Sequence, residues 1–499
     1  MNFLVFLFFL SVILVANGQK PNIVLFLTDD QDELLGGIVP MGKTQRLIAN
    51  KGVIFSNSFV STPLCCPSRS SILTGRYAHN HGTFNNSING GCNSHEWQTV
   101  HEKNTFAVHL QKNGYRTFYA GKYLNKYGTG KNGSHIPPGW DWWFGLHGNS
   151  VYYNYTLSVN GTNHYFTDQY LTKVIKNYGL EFLKSQSNLD QPFLMVLATP
   201  APHEPFTPED QYKGHFKGVK VPRTPNFNYK SGKTKHWLTR MLPEVLPDDL
   251  ISKLDQFQEM RWETLLSVDD LVESLIEELE KKLLLNNTYV IFTSDNGFHL
   301  GQFGLPWDKR QMYETDIRVP LIVRGPNIPE KKLMTSPVVN VDIAGTILDM
   351  AGVRYDLDSF DGLSFLPIAN TTLPDSRHRS IVIEYRGESN SIDIDPQCEH
   401  LIGDYGIKGC HFEAACKCQD SHNNTYNCLR KISDPDNFIY CEFVDSEYFA
   451  EFYNLVEDPY QLNNLAHKIK ETTSHERVHQ LQEALTALSL CRGINCHKT

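Results

Sequence analysis

Cysteine is missing from more than half of the chain, the stretch between Cys92 and Cys398, so a disulfide-stapled scaffold is excluded as a description of the whole protein. A basic excess is missing too. The 46 Lys and Arg stand against 55 Asp and Glu, a formal charge of −9, and no global positive field exists to collect nucleic acid. After the first eighteen residues no long apolar run is free of charge, so no later membrane span is expected. Internal repeats, heptads and low-complexity tracts are absent. What is present is ordinary globular composition over 499 residues, 40% hydrophobic and 20% charged, enough for more than one packed core. The 20 His would carry the formal charge from −9 to about +11 if all were protonated, making an acidic compartment relevant.

Residues 1–18, MNFLVFLFFLSVILVANG, form a short apolar run with small residues at Ala16 and Gly18. This predicts a signal peptide cleaved before Gln19, with a retained anchor as the alternative because no Lys or Arg precedes the run. Asn-x-Ser/Thr acceptors at Asn85, Asn132, Asn154, Asn160, Asn286, Asn370 and Asn423 agree with a secretory route and are glycosylation candidates. In that route 11 cysteines leave one unpaired or chemically changed. If the eight after Cys92 pair among themselves, the odd one lies in the early trio, and the arithmetic points to Cys65 or Cys66.

Asn22 to Thr28, NIVLFLT, reads as a buried parallel strand delivering Asp29 and Asp30 at its C-terminal edge, where open α/β sheets place ligands. Similar runs occur at Phe193–Thr199, Tyr289–Ser294 and Val319–Arg324, separated by helix-like stretches, so a doubly wound, mostly parallel α/β sheet is expected. The clearest helix carries Leu265, Val268, Val272, Leu275, Ile276, Leu279 and Leu283 on one face and reads as packing surface without chemistry of its own. A strand at Val338–Asp342 and a helix over IAGTILDMAG follow. The text then turns loop-rich and, from Cys398, cysteine-rich. This divides the chain into an N-terminal unit, 19–375, and a smaller disulfide-stapled α+β unit, 376–499. The latter has strands at Ser380–Tyr385 and Phe438–Phe443 and a last helix around Ser474–Leu490.

The stretch Leu64–Arg76, LCCPSRSSILTGR, is the most specific of the chain. Its Cys65-x-Pro67-Ser68-Arg69 followed by Leu73-Thr74-Gly75-Arg76 resembles the signature of the type I sulfatases, whose cysteine is oxidised to formylglycine (3-oxoalanine) by the formylglycine-generating enzyme during secretion. A hydrated aldehyde carries two hydroxyls on one carbon, one to attack sulfur and one to be deprotonated so that sulfate is expelled. Conversion of Cys65 would also resolve the odd count and leave Cys66 and Cys92 as an early pair. The resemblance implies an alkaline-phosphatase-like α/β fold with a large, mostly parallel sheet flanked by helices.

Sulfate ester cleavage builds negative charge, so it calls for cations and a hard metal ion bound by oxygen. Asp29 with Asp30, and Asp295 with Asn296 after the YVIFTS strand, supply two oxygen pairs at strand ends. Such residues are also common in turns and caps. The resemblance makes these four the ligands of one calcium ion that also touches residue 65. It further implies that Arg69 and Lys122 orient the formylglycine, and that Lys309 and His203 hold the sulfate, with His203 as proton donor to the leaving oxygen.

A histidine is missing from one expected place. Many sulfatases continue Gly-Lys with Trp-His-Leu, whereas this chain reads Gly121-Lys122-Tyr123-Leu124-Asn125, and Asn125 cannot take up a proton. His299, or His79 and His81 of the HNH cluster, are the substitutes the sequence offers near the substrate. GKYLN together with CCPSR, HNH, PAPHEP, KHW at Lys235–Trp237, SVDDLVE and SDNGFHLGQFGLP resembles the branch of the family that acts on N-acetylglucosamine 6-sulfate, from Pro21 to about Cys441. EFYNLVEDPYQLNNLA beyond it is also sulfatase-like.

The expected activity is therefore removal of the 6-O-sulfate from non-reducing terminal N-acetylglucosamine of heparan or keratan sulfate, in the lysosome or outside the cell. No nucleic acid is expected as a partner, nor a membrane once the signal is cleaved, and the oligomeric state is open, a dimer included. The rivals are an extracellular endosulfatase, against which the lack of a long basic insertion speaks, a two-zinc phosphoryl-ester hydrolase, and an inactive glycan-binding relative.

Overall fold

The computed structural model describes residues 19–129, 135–186, 191–366, 379–388, 417–433, 435–445, 447–466 and 475–497. The leader at 1–18, the acceptors Asn132 and Asn370, the boundary near 375 and Cys398, Cys410 and Cys416 lie outside them.

A ten-stranded sheet runs in the order Lys332–Met334, Val53–Phe55, Leu321–Arg324, Thr288–Ser294, Asn22–Thr28, Phe193–Ala198, Arg116–Lys122, Trp142–Leu146, Tyr155–Val159 and Thr162–Phe166. Its centre is parallel: Asn22–Thr28 pairs in parallel with both Phe193–Ala198 and Thr288–Ser294, and Arg116–Lys122 pairs in parallel with Phe193–Ala198 and Trp142–Leu146. The flanks are not. Leu321–Arg324 is antiparallel to both neighbours, and the last three strands form an antiparallel meander. The sheet is thus mixed, and the run at Val319–Arg324, expected as one more parallel strand, returns in the opposite sense. Apolar content alone does not carry strand direction.

Alternation along the central strand shows why a continuous apolar run belongs here. Ile23, Leu25 and Leu27 enter one core, while Val24 and Phe26 enter the core on the opposite face. The first face is covered by helices Cys65–Thr74, Phe106–Lys112 and Asp342–Met350, and the second by Leu171–Lys184 and Asp248–Lys281. On the last of these Leu265, Val268, Val272, Leu275, Ile276 and Leu279 are buried, each burial contributing about 1.5–3 kcal/mol. Leu283, expected on the same stripe, lies beyond the helix end with φ 60° and is exposed.

A second sheet is antiparallel, in the order Arg379–Tyr385, Tyr426–Ile432, Asn437–Phe443 and Ala450–Asn454, and the helix His475–Ser489 packs on it. Its apolar face shares a core with Phe59, Val60, Phe303, Met312 and Tyr313, so it is built onto the segments that lead into and out of the sheet's C-terminal edge. Disulfides join Cys66 to Cys92, Cys428 to Cys441 and Cys491 to Cys496. Cys418 is also bonded, and Cys65 is free. Among the described residues no helix is long and apolar enough to cross a membrane.

Candidate active site

Three strand ends and one helix start converge at the C-terminal edge of the sheet. Asn22–Thr28 ends at Asp29 and Asp30, Thr288–Ser294 at Asp295 and Asn296, and Arg116–Lys122 at Lys122 itself, while Cys65 opens the helix Cys65–Thr74. All ten residues of that helix are buried. Pro67 fits its first turn because N–H groups there have no intrahelical acceptor to lose. Its polar side chains look inward to partners: Ser68 Oγ donates to the Asp295 carbonyl, Arg69 Nε to Asp295 Oδ2 at 2.7 Å and Arg69 Nη1 to the Lys122 carbonyl at 2.8 Å.

Asp29, Asp30, Cys65 and His203 bring one ligand atom each to within 4.8 Å of one another, all four buried. Around them stand the cations. Lys122 Nζ is 2.6 Å from Asp29 Oδ2, Lys309 Nζ is 2.7 Å from Asp30 Oδ2, and Arg69 Nη2 is 3.7 Å from Asp29 Oδ2. His203 Nε2 lies 3.7 Å from Asp30 Oδ2, while its Nδ1 donates to the Glu204 carbonyl at 2.5 Å. Because a carbonyl only accepts, the Nδ1 proton is fixed and Nε2 faces the carboxylates.

Burial works against ionised Asp29, but Lys122, His203, Arg69 and Lys309 hold its carboxyl well below the usual range; Asp30 is held down against burial chiefly by Lys309. Burial pushes the Cys65 thiol up to about 12, so an unmodified cysteine here is a neutral thiol and a weak nucleophile. Burial, then Lys309, pushes His203 down to about 4.

Two buried oxygens in this cluster have no hydrogen-bond partner, Oδ1 of Asp29 and Oδ1 of Asn296. Oxygen acceptors withdrawn from water and left unpaired beside a second carboxylate fit a hard divalent cation such as calcium or magnesium. Asp295 is not in the group of four. Its Oδ1 accepts the N–H of Asp30 at 3.1 Å and of Asn296 at 2.8 Å, and its Oδ2 takes Arg69, so it ties both strand ends to the nucleophile helix and stays beside the cluster as a further oxygen donor.

Of the weaker sequence candidates, Asn125 is buried and donates to Asn149 Oδ1 at 3.1 Å. His299 Nδ1 lies 2.9 Å from both oxygens of Asp316, and its Nε2 is buried without a partner. The structure does not bring His79 or His81 to the cluster. His79 bridges Glu384 Oε1 and the Cys491 carbonyl, both at 3.0 Å, and His81 is bonded to Ser71 Oγ at 3.0 Å and to the Thr83 N–H at 3.1 Å. They are spent on fastening helices and the C-terminal segment.

Two residues escaped the sequence reading. Ser150 Oγ donates to Asp29 Oδ2 beside Lys122, and a lone serine in the loop HGNSVYY carries no signal that would have singled it out. Arg261 lies on the helix that reads as packing surface alone, yet its Nη2 donates to the Asp30 carbonyl at 3.0 Å and to Asp32 Oδ1 at 2.6 Å. Asp30 has φ 63°, and this clamp helps to hold it in that uncommon left-handed conformation. Being the one arginine of that helix is the faint mark it leaves in the sequence.

Residues 21–353 match the sulfatase family model. The chain is similar to N-acetylglucosamine-6-sulfatase of Homo sapiens, 47% identical over 496 residues that cover 98% of this chain and 88% of the relative. It is also similar to the extracellular sulfatase SULF-1 homolog of Drosophila melanogaster, 42% identical over 389 residues, 76% of this chain and 34% of that protein. A solved structure described as a complex with its substrate D-glucosamine-2-N,6-O-disulfate superimposes with a TM-score of 0.74 at 24% identity, covering 94% of this chain and 97% of that one.

Proposed function

The chain belongs to the sulfatase family and is a sulfatase, and from that premise we propose that it removes the 6-O-sulfate of non-reducing terminal N-acetylglucosamine 6-sulfate in heparan or keratan sulfate. The observation that carries the reading is the buried juxtaposition of Cys65 with Asp29 and Asp30, ringed by Arg69, Lys122, Lys309 and His203. The choice of sugar and position is supported by 47% identity along nearly the whole chain to a relative of that name.

Converted to formylglycine, residue 65 supplies a nucleophilic hydroxyl for sulfur and a second hydroxyl whose deprotonation releases sulfate. Asp29, Asp30, Asp295 and Asn296 would hold calcium, with residue 65 and His203 beside it, and the ion supplies positive charge where sulfuryl oxygens gather negative charge. Lys122 and Ser150 neutralise and fix Asp29. Lys309, on Asp30 before substrate arrives, is placed to exchange part of that contact for a sulfuryl oxygen. Arg69 ties the helix that carries residue 65 to Asp295 and to the Lys122 main chain, so nucleophile and cations share one rigid frame. His203 presents Nε2 to the site; held down to about 4 while the site is empty, it becomes the proton donor to the departing sugar oxygen only when the negative charge of a bound sulfate raises it. The base that stands in for the histidine Asn125 displaces is unassigned; His299, buried and held by Asp316, is the imidazole left among the sequence candidates.

A two-zinc phosphoryl site is disfavoured because the one metal-capable group among the described residues contains a single histidine. We place the protein in the lysosome, or outside the cell, reached through the secretory route where residue 65 meets its modifying enzyme. Sulfate release from N-acetylglucosamine 6-sulfate tests the reading against its rivals. Release confined to internal residues of heparin would favour the endosulfatase, and tight binding without release would favour a glycan-binding protein.

A further inference from the structure

The C-terminal sheet meets the active-site walls at Tyr426, whose Oη donates to the Arg310 carbonyl at 3.0 Å, and at the segment that follows its first strand. Beyond its edge strand Arg379–Tyr385, Arg386 stacks over the Phe84 ring with its guanidinium 3.8 Å from the centroid. At Gly387 the main chain passes so close to Ser421 that an added Cβ would lie 2.1 Å from that carbonyl. The Glu388 N–H then donates to the Asp420 carbonyl at 2.9 Å. Held by these contacts, the segment presents the Glu388 carboxylate, largely buried, to two different walls of the site.

Each carboxylate oxygen serves one wall. Oε1 accepts the Asn86 N–H at 2.8 Å, and the Asn86 side chain accepts the Cys66 N–H at 3.0 Å, one residue past the nucleophile position. Oε2 accepts Arg310 Nε at 2.9 Å and Nη2 at 2.7 Å. The third guanidinium nitrogen of Arg310 binds Asp308 Oδ2, and Asp308 Oδ1 accepts the N–H of Lys309 at 2.8 Å. Arg310 itself has φ 84°, a conformation that needs outside support in a residue with a side chain, and its N–H closes the circuit on the Pro63 carbonyl, just before the nucleophile helix.

We infer that Glu388 is a positioning residue that sets the spacing between residue 65 and Lys309. A carboxylate is needed because one group must accept from a main-chain N–H and from a guanidinium at once, and a charged acceptor makes the stronger bond to each. The inference rests on the sulfatase reading proposed above, with Lys309 on the sulfate and residue 65 as nucleophile.

The test is Glu388→Gln, isosteric and able to keep the Asn86 bond but not the ion pair, alongside Asn86→Ala, Arg310→Gln and the Glu388→Gln/Arg310→Gln double variant. Formylglycine content by mass spectrometry and the Tm are measured for each. We expect kcat for N-acetylglucosamine 6-sulfate to fall about 10-fold or more in Glu388→Gln at unchanged formylglycine content and Tm. The double variant should be no worse than its worse single. The dissociation constant of inorganic sulfate, which needs no turnover, should weaken roughly 5-fold through Lys309. If Glu388→Gln secretes poorly, the same losses in Asn86→Ala for kcat and Arg310→Gln for sulfate binding carry the test. Wild-type kcat and sulfate affinity retained within two-fold would overturn the inference, as would losses that only follow a falling Tm. A wild type that releases no sulfate refutes the proposed function, and the inorganic sulfate affinities still decide on Glu388.

Discussion

Lys122 Nζ sits 2.6 Å from Oδ2 of Asp29, and Oδ1 of the same carboxylate is buried without a hydrogen-bond partner. One oxygen is neutralised by the protein and the other is kept for something the protein does not supply. Asn296 Oδ1 is in the same condition.

Removal of a divalent cation should therefore lower stability as well as activity. Chelator-treated protein is expected to melt at a lower temperature and to recover on addition of calcium. At a hundred-fold excess over the dissociation constant the gain is about 2.7 kcal/mol. A Tm indifferent to chelator and calcium would mean that the two oxygens are not metal ligands.

Ser150→Ala removes the second donor to Asp29 Oδ2 and leaves Lys122 in place. A hydrogen bond to a buried charge contributes about 1.5–3 kcal/mol, so kcat should fall roughly 10-fold or more. Calcium affinity, followed by calorimetry, should weaken with it. Unchanged values for both would show that Lys122 alone orients the carboxylate.

Acid should act on individual histidines in opposite senses. Burial is the largest effect on His79, pushing it down, but the hydrogen bond and charge of Glu384 push harder and raise it above its ordinary 6.5. A base with a raised folded pKa stabilises fully below its unfolded value and loses that contribution as pH rises through the folded one. His79→Gln should thus cost more Tm at about pH 5.5 than at about pH 8. An equal deficit at both would remove the ion pair from the account. His81, His101, His109, His147, His236 and His497 are pushed down, first by burial, and their contribution is lost as pH falls below 6.5. The 20 histidines therefore do not charge together, and the sequence expectation of about +11 overstates the charge in mild acid.

Gly121 precedes Lys122 with φ 110°, and a Cβ there would lie 1.8 Å from the Ala198 carbonyl on the neighbouring strand. Gly121→Ala has to push apart two central strands, at a cost of about 3 kcal/mol, and to displace Lys122 with them. Chemical denaturation should register the loss. A variant of wild-type stability and activity would contradict the close packing of these strands.

What was legible in the sequence is what strands and spacing make visible. Asp29 and Asp30, and Asp295 and Asn296, follow β-rich apolar runs that read as buried strands, so their place at the sheet edge is legible. Lys122 was found by its motif, although RTFYAGK alternates too little to announce a strand. Tertiary partners left no such trace. That Arg261 would turn from a packing helix to the Asp30 carbonyl, that Ser150 would meet Asp29, and that Val319–Arg324 would run antiparallel depend on how distant segments dock. His79 and His81 illustrate the converse. Their motif was conspicuous, but their ring nitrogens face Glu384, Ser71 and main-chain groups of the enclosing segments rather than the site.

The central claim is that residue 65 is no longer cysteine when the enzyme works, and its mass decides this. Protein secreted from a eukaryotic host is reduced, alkylated and digested with trypsin, and the peptide running from Gly52 to Arg69 is weighed. The account predicts one alkylated cysteine, Cys66 released from its bond with Cys92, and an aldehyde at position 65. Two alkylated cysteines in protein that releases sulfate at full rate would contradict it.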